Sequence, residues 1–148
     1  GKGHLLGGFV FAWIFLAILS NIFFVPSAME VVIFVGIAVM FSLWPDVDIK
    51  SIGQKVFYSI FFVTDSILVF YFKDYKTAAF FGLLIILPVL AKHRGWTHST
   101  ITAILLPTPL LLVPMYVFDG NLLQGLPYYF SAVAGYFSHL FFDKKLFK

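Results

Sequence analysis

The feature that most constrains this chain is a row of six apolar stretches, at about 5–25, 29–44, 56–72, 76–91, 100–118 and 126–143, separated by linkers of a few polar residues. Runs of about 17 to 25 apolar residues match the hydrocarbon thickness of a bilayer when helical. Composition points the same way. Of 148 residues, 61% are hydrophobic and 11% charged, and the mean hydropathy is +0.97, whereas a soluble domain carries about a quarter charged residues. With 20 Phe, 7 Tyr and 3 Trp, the chain has more apolar surface than one small core can bury, so the surplus must face lipid. The expected architecture is all-α: a single transmembrane domain over residues 1–148, folded as a polytopic six-helix bundle.

The linkers are Pro26-Ser27, the segment from Pro45 to Lys50, the segment from Lys73 to Lys76, and Asp119-Gly120-Asn121. The first run follows Lys2 but is longer than the apolar core of a secretory signal, about 7–15 residues, so it is read as a span. The fifth contains Pro107, Pro109 and Pro114. Each removes a backbone donor, which predicts a kinked or broken helix. Gly7-Gly8, Gly36, Ala38, Gly82 and Gly135 permit close helix approach, within one chain or between copies, and leave the oligomeric state open.

The formal net charge of +3 comes from basic residues scattered singly, without the stripe that a nucleic-acid backbone requires. It reads instead as topology. Six spans place both termini on one side with the loops 45–55 and 92–99. That side holds Lys2, Lys50, Lys55, Lys92, Arg94, Lys144, Lys145 and Lys148, against Lys73 and Lys76 on the other. By the positive-inside rule both termini are expected in the cytoplasm, with the chain a multi-pass protein of the inner (cell) membrane.

The same parity places His4, Asp46, Asp48, His93, His98, His139 and Asp143 at cytoplasmic helix ends, although no histidine entered the charge count. With no cysteine in the chain, any metal must be held by nitrogen and oxygen. His139 and Asp143, four apart, share a helix face. Asp46 and Asp48 flank a turn. In His93-Arg94-Gly95-Trp96-Thr97-His98-Ser99 the two histidines need a bend, which Gly95 can supply, and Thr97 or Ser99 can cap the next helix. Arg94 beside a helix start suits an anionic group such as phosphate. Taken one at a time, each group has a plainer reading as a solvated helix end, an Asx-type turn, or a positive loop anchored by Trp96. Together they can hold one or two divalent ions, zinc first and magnesium or manganese as alternatives. Such an ion brings the pKa of water toward neutrality without a Ser or Cys nucleophile.

The pattern of an N-terminal His, Pro-Asp-x-Asp (Pro45 to Asp48), His-Arg-Gly-x-Thr-His-Ser (His93 to Ser99) and Ser-His-Leu-x-x-Asp (Ser138 to Asp143) resembles the YdjM-type membrane-bound metal-dependent hydrolases of bacteria and archaea. That resemblance implies a polytopic membrane hydrolase that uses metal. The His-x-x-x-Asp pair with an N-terminal His also resembles zinc-dependent phospholipases C, as an analogy.

The expectation is hydrolysis of a lipid phosphoester, with membrane lipid as both environment and substrate. His4, Asp46, Asp48, His93, His98, His139 and Asp143 are the metal residues, and Asp48, Arg94 and His98 the catalytic ones. Two competing readings are transport of a cation or proton through Asp65, which falls in mid-span with Thr64 and Ser66 beside it, and a scaffold whose metal only staples helix ends.

Overall fold

The computed structural model describes residues 2–22, 25–47, 52–90, 96–117 and 119–143. It is helical throughout, with no strand among the described residues. Helices α1 (Lys2–Ile22), α2 (Ala28–Leu43), α3 (Ile52–Ser66), α4 (Tyr75–Leu90) and α7 (Leu122–Phe142) correspond to five of the six apolar runs. The remaining run, the fifth, is broken as its prolines predict, into α5 (Thr100–Leu105), a 3-10 turn over Thr108–Leu111 with Pro109 in its first turn, and α6 (Val113–Val117). A further 3-10 turn, Trp44–Asp46, extends α2 around Pro45, and another, Trp96–His98, precedes α5.

Two stretches, Ala28–Asp46 and Gln54–Phe72, are helices long and apolar enough to cross a membrane; Leu6–Ile22 and Thr100–Tyr116 are shorter apolar helices. The surface fits lipid. Phe62, Phe70, Ile101 and Leu123 are each 70–81% exposed, and apolar side chains in water at that exposure would forfeit about 25 cal/mol for every Å² left unburied.

Local sequence sets the helix ends. Ser27 caps α2 and exchanges hydrogen bonds with Glu30, which closes a capping box. Asn121 and Gln124 do the same for α7. Asp74 accepts from the Thr77 hydroxyl at 2.6 Å and the Thr77 amide at 3.1 Å, and these bonds hold its carboxyl below the ordinary aspartate range. One feature had no sequence signal: α3 continues into a π-helical stretch, Ile67–Tyr71.

The centre of the bundle is the trio α1, α2 and α7. Helices α2 and α7 run parallel, in a register repeated every turn. The Ser131 hydroxyl donates to the Phe34 carbonyl, Gly135 lies on the Ala38 backbone, and His139 Nδ1 meets the Ser42 carbonyl at 2.9 Å. Each pair is 97 residues apart in sequence. Positions four apart on two adjacent helices form facing stripes, and small residues along them let the backbones approach. A Cβ on Gly135 would fall on the Ala38 carbonyl. Helix α1 is antiparallel to both, with Gly8 against the Ser42 side chain and Gly7 under the Phe142 ring. The main core continues through Phe41, Trp44, Val47, Phe57, Phe61, Tyr136 and Leu140, which seats α3 on α2 and α7.

This packing has a direct test. Gly135→Val forces the α2–α7 seam apart and should lower stability by about 1–3 kcal/mol, the usual cost of overpacking. Gly36→Ala, where nothing lies within 4 Å of the added Cβ, should melt within a degree or two of the native protein. Thermal unfolding in detergent micelles reads both.

Candidate metal centre

At the end of the bundle where α2 and α7 finish, Asp46, His98, His139 and Asp143 offer one ligand atom each, all within 4.8 Å of one another. They arrive from three segments. Asp46 closes the 3-10 turn after α2, His98 closes the turn before α5, and His139 and Asp143 come from the last turn and C-cap of α7. His98 Nε2 is 3.2 Å from Asp46 Oδ1 and 3.7 Å from Asp143 Oδ2; His139 Nε2 is 3.8 Å and 3.6 Å from the same two atoms. The two rings stand edge to face at 5.3 Å.

The orientation of the imidazoles is fixed from behind. A carbonyl oxygen can only accept, so the contact with Ser42 makes His139 Nδ1 the protonated nitrogen and leaves Nε2 with its lone pair toward the carboxylates. His98 Nδ1 lies 3.2 Å from the Thr97 hydroxyl, which can accept its proton while Nε2 faces Asp46. Both rings therefore present Nε2 to one point. Two imidazole nitrogens and two carboxylates suit a divalent ion of the zinc or manganese kind. Bonds of about 2.0–2.2 Å around one ion put ligand atoms about 3–4 Å apart, the range of the four contacts above.

Burial is uneven across the group. The His139 and His98 side chains are 0% and 3% exposed, those of Asp46 and Asp143 20% and 27%. The cluster is thus sealed on its nitrogen side and open on its oxygen side.

Of the residues expected at the site, the structure brings Asp46, His98, His139 and Asp143 together. Asp48, His93 and Arg94 lie outside the described residues. His4 sits in the first turn of α1, one turn before the Gly8 that abuts Ser42, so its backbone is at the same end of the bundle. Ser99, rather than Thr97, caps α5, accepting from the Thr102 amide at 3.1 Å. Asp65 does not join the cluster. It is half-buried in α3, two residues before the π-helical stretch, and its Oδ1 is enclosed with no hydrogen bond among the described residues. The Ser42 carbonyl escaped sequence reasoning because a backbone acceptor leaves no mark in residue type.

An all-helical bundle with apolar, membrane-length helices and a His/Asp group able to hold a metal ion defines the class of protein. The chain belongs to the YdjM inner membrane protein family, which matches it over residues 1–144. Neither the curated proteins nor the solved structures include a match to it.

If these four side chains form one metal centre, the double variant His98→Ala, His139→Ala should purify with zinc at background level, while Asp74→Asn, at a remote cap, should keep the native content. Elemental analysis of both variants after dialysis against zinc decides it.

Proposed function

We propose that this is a metal-dependent hydrolase of the inner membrane, acting on a lipid phosphoester. The observation that carries the reading is the convergence of two buried imidazoles and two partly exposed carboxylates on one point at the end of membrane-type helices. A divalent ion held there supplies Lewis acidity toward a phosphoryl oxygen and a source of nucleophilic hydroxide near neutral pH.

The chain's own residues do the rest. His139 and His98, held through Nδ1, keep their Nε2 atoms aimed without reorganisation. Asp46 and Asp143 face the open side, where a substrate would approach and where a carboxylate can accept a proton from water. Asp48 and His93 adjoin these ligands in sequence and would extend the set toward a second ion, with His4 completing it from α1. Arg94 would bind the anionic oxygens, since its planar donor fork matches a phosphate.

The membrane reading extends to six spans with both termini and the site in the cytoplasm. Parallel α2 and α7 with antiparallel α1 is the relation that alternating spans require, and the lysine and arginine distribution supports the orientation. Lipid head groups are the phosphoesters available at that depth.

Helix ends favour hydrolysis over transport, because transporter sites lie near mid-bilayer. Partly exposed carboxylates favour it over a purely structural staple, whose ligand shell would be closed.

The test is release of a water-soluble phosphorylated head group from vesicles of defined lipids. EDTA should abolish it, zinc or manganese should restore it, and His98→Ala should lower the rate at least about 100-fold, the order expected for loss of a group that orients the reacting centre. Asp65→Asn should leave the rate within about twofold. Release indifferent to chelation rejects the proposal.

A further inference from the structure

We propose that Tyr136 and Gln54 are the positioning residues of this centre, each gripping the backbone next to a ligand that its own turn cannot hold in place. The proposal rests on the metal-centre reading above. Asp46 lies at the extreme end of the helical run that begins at Ala28, and His98 precedes the six-residue α5. Each ends a three-residue 3-10 turn, an element with poorer hydrogen-bond geometry than an α-helix. Both turns are nonetheless fixed, and by the same device.

Gln54 Nε2, from the first turns of α3, donates to the Val47 carbonyl at 2.8 Å, the residue after Asp46. The Tyr136 hydroxyl, from α7, donates to the carbonyl of Thr97, the residue before His98. Val47 is 0% exposed and Thr97 3%. A carbonyl at such a depth that loses its donor costs about 1–3 kcal/mol unless the backbone moves to find another. Moving the backbone there moves the ligand.

Tyr136 holds both turns at once. Its ring, fully buried, packs on Trp44 at 6.0 Å and 40°, and Trp44 opens the turn that ends in Asp46. Its hydroxyl holds the other turn. It also stands on α7 three residues before His139, so the spacing of His98 and Asp46 is referred to the helix that supplies His139 and Asp143. No atom of Tyr136 or Gln54 belongs to the ligand group. Both act through their neighbours.

The experiment uses the full chain in detergent and zinc alone as the probe. Affinity is measured by competition with a chromophoric chelator, and coordination by the visible spectrum of the cobalt-substituted protein. Tyr136→Phe keeps the ring on Trp44 and removes the hydroxyl alone; it should weaken zinc binding about 10- to 100-fold, as loss of outer-sphere partners does, and alter the cobalt spectrum. Gln54→Leu should do likewise, and carries the test should Tyr136→Phe fail to fold. Tyr129→Phe is the control, because its hydroxyl also donates to a backbone carbonyl, that of Ile104 at 3.1 Å, away from the centre. It should leave affinity and spectrum unchanged.

Native zinc affinity and spectrum in Tyr136→Phe and Gln54→Leu would overturn the positioning role and leave the metal centre standing. An equal loss in Tyr129→Phe would also overturn it, reducing the effect to general destabilisation. A native protein that binds no zinc, or binds it as well after His98→Ala, overturns the metal centre and this proposal together.

Discussion

The parallel seam between α2 and α7 is the contact on which everything else is built. Its closeness requires a glycine at position 135, where any Cβ would strike the Ala38 carbonyl. Once the helices are that near, backbone carbonyls of α2 come within reach of side-chain donors from α7. Ser131 and His139 supply two such donors, one turn beyond Gly135 on either side. In lipid there is no hydrophobic drive for helices to associate, so close backbone packing and polar contacts of this kind carry the association. The last rung of the seam is also the first fixed atom of the candidate metal centre. A structural contact and a site contact are here the same hydrogen bond, between His139 Nδ1 and Ser42.

Beyond the seam, the neighbouring helices pack onto this pair. Helix α1 locks in through Gly7 and Gly8, and α3 through Phe57 and Phe61. The short turns bearing Asp46 and His98 are the least self-supporting pieces, yet they carry half of the ligand group. That is a common arrangement: irregular segments place reactive side chains where regular helices cannot, and a rigid frame holds them.

Much of this was legible in residue order. The apolar runs located the helices to within a few residues, and the three prolines of the fifth run marked its break. The i, i+4 spacing of His139 and Asp143 put both on one face, as their shared contacts with His98 and Asp46 bear out. Which distant segments meet was not legible. The His98–Asp46 contact spans 52 residues and the His139–Ser42 contact 97, and nothing in a single sequence encodes such pairings except the demand that polar groups in an apolar medium find one another. Small residues were ambiguous in the same way: Gly135 and Ala38 meet, whereas Gly36 and Gly82 face open space. The supporting roles of Tyr136 and Gln54 were hidden because an aromatic in an apolar run and a glutamine at a helix start are unremarkable as residue types. The π-helical stretch after Asp65 had neither glycine nor proline to announce it.

The unequal burial of the four ligands has a kinetic side. A hydrated cation approaching this end of the bundle would meet the carboxylates of Asp46 and Asp143 before the imidazoles of His98 and His139. The end of the bundle would thus receive an ion through its oxygen face and seat it on nitrogen.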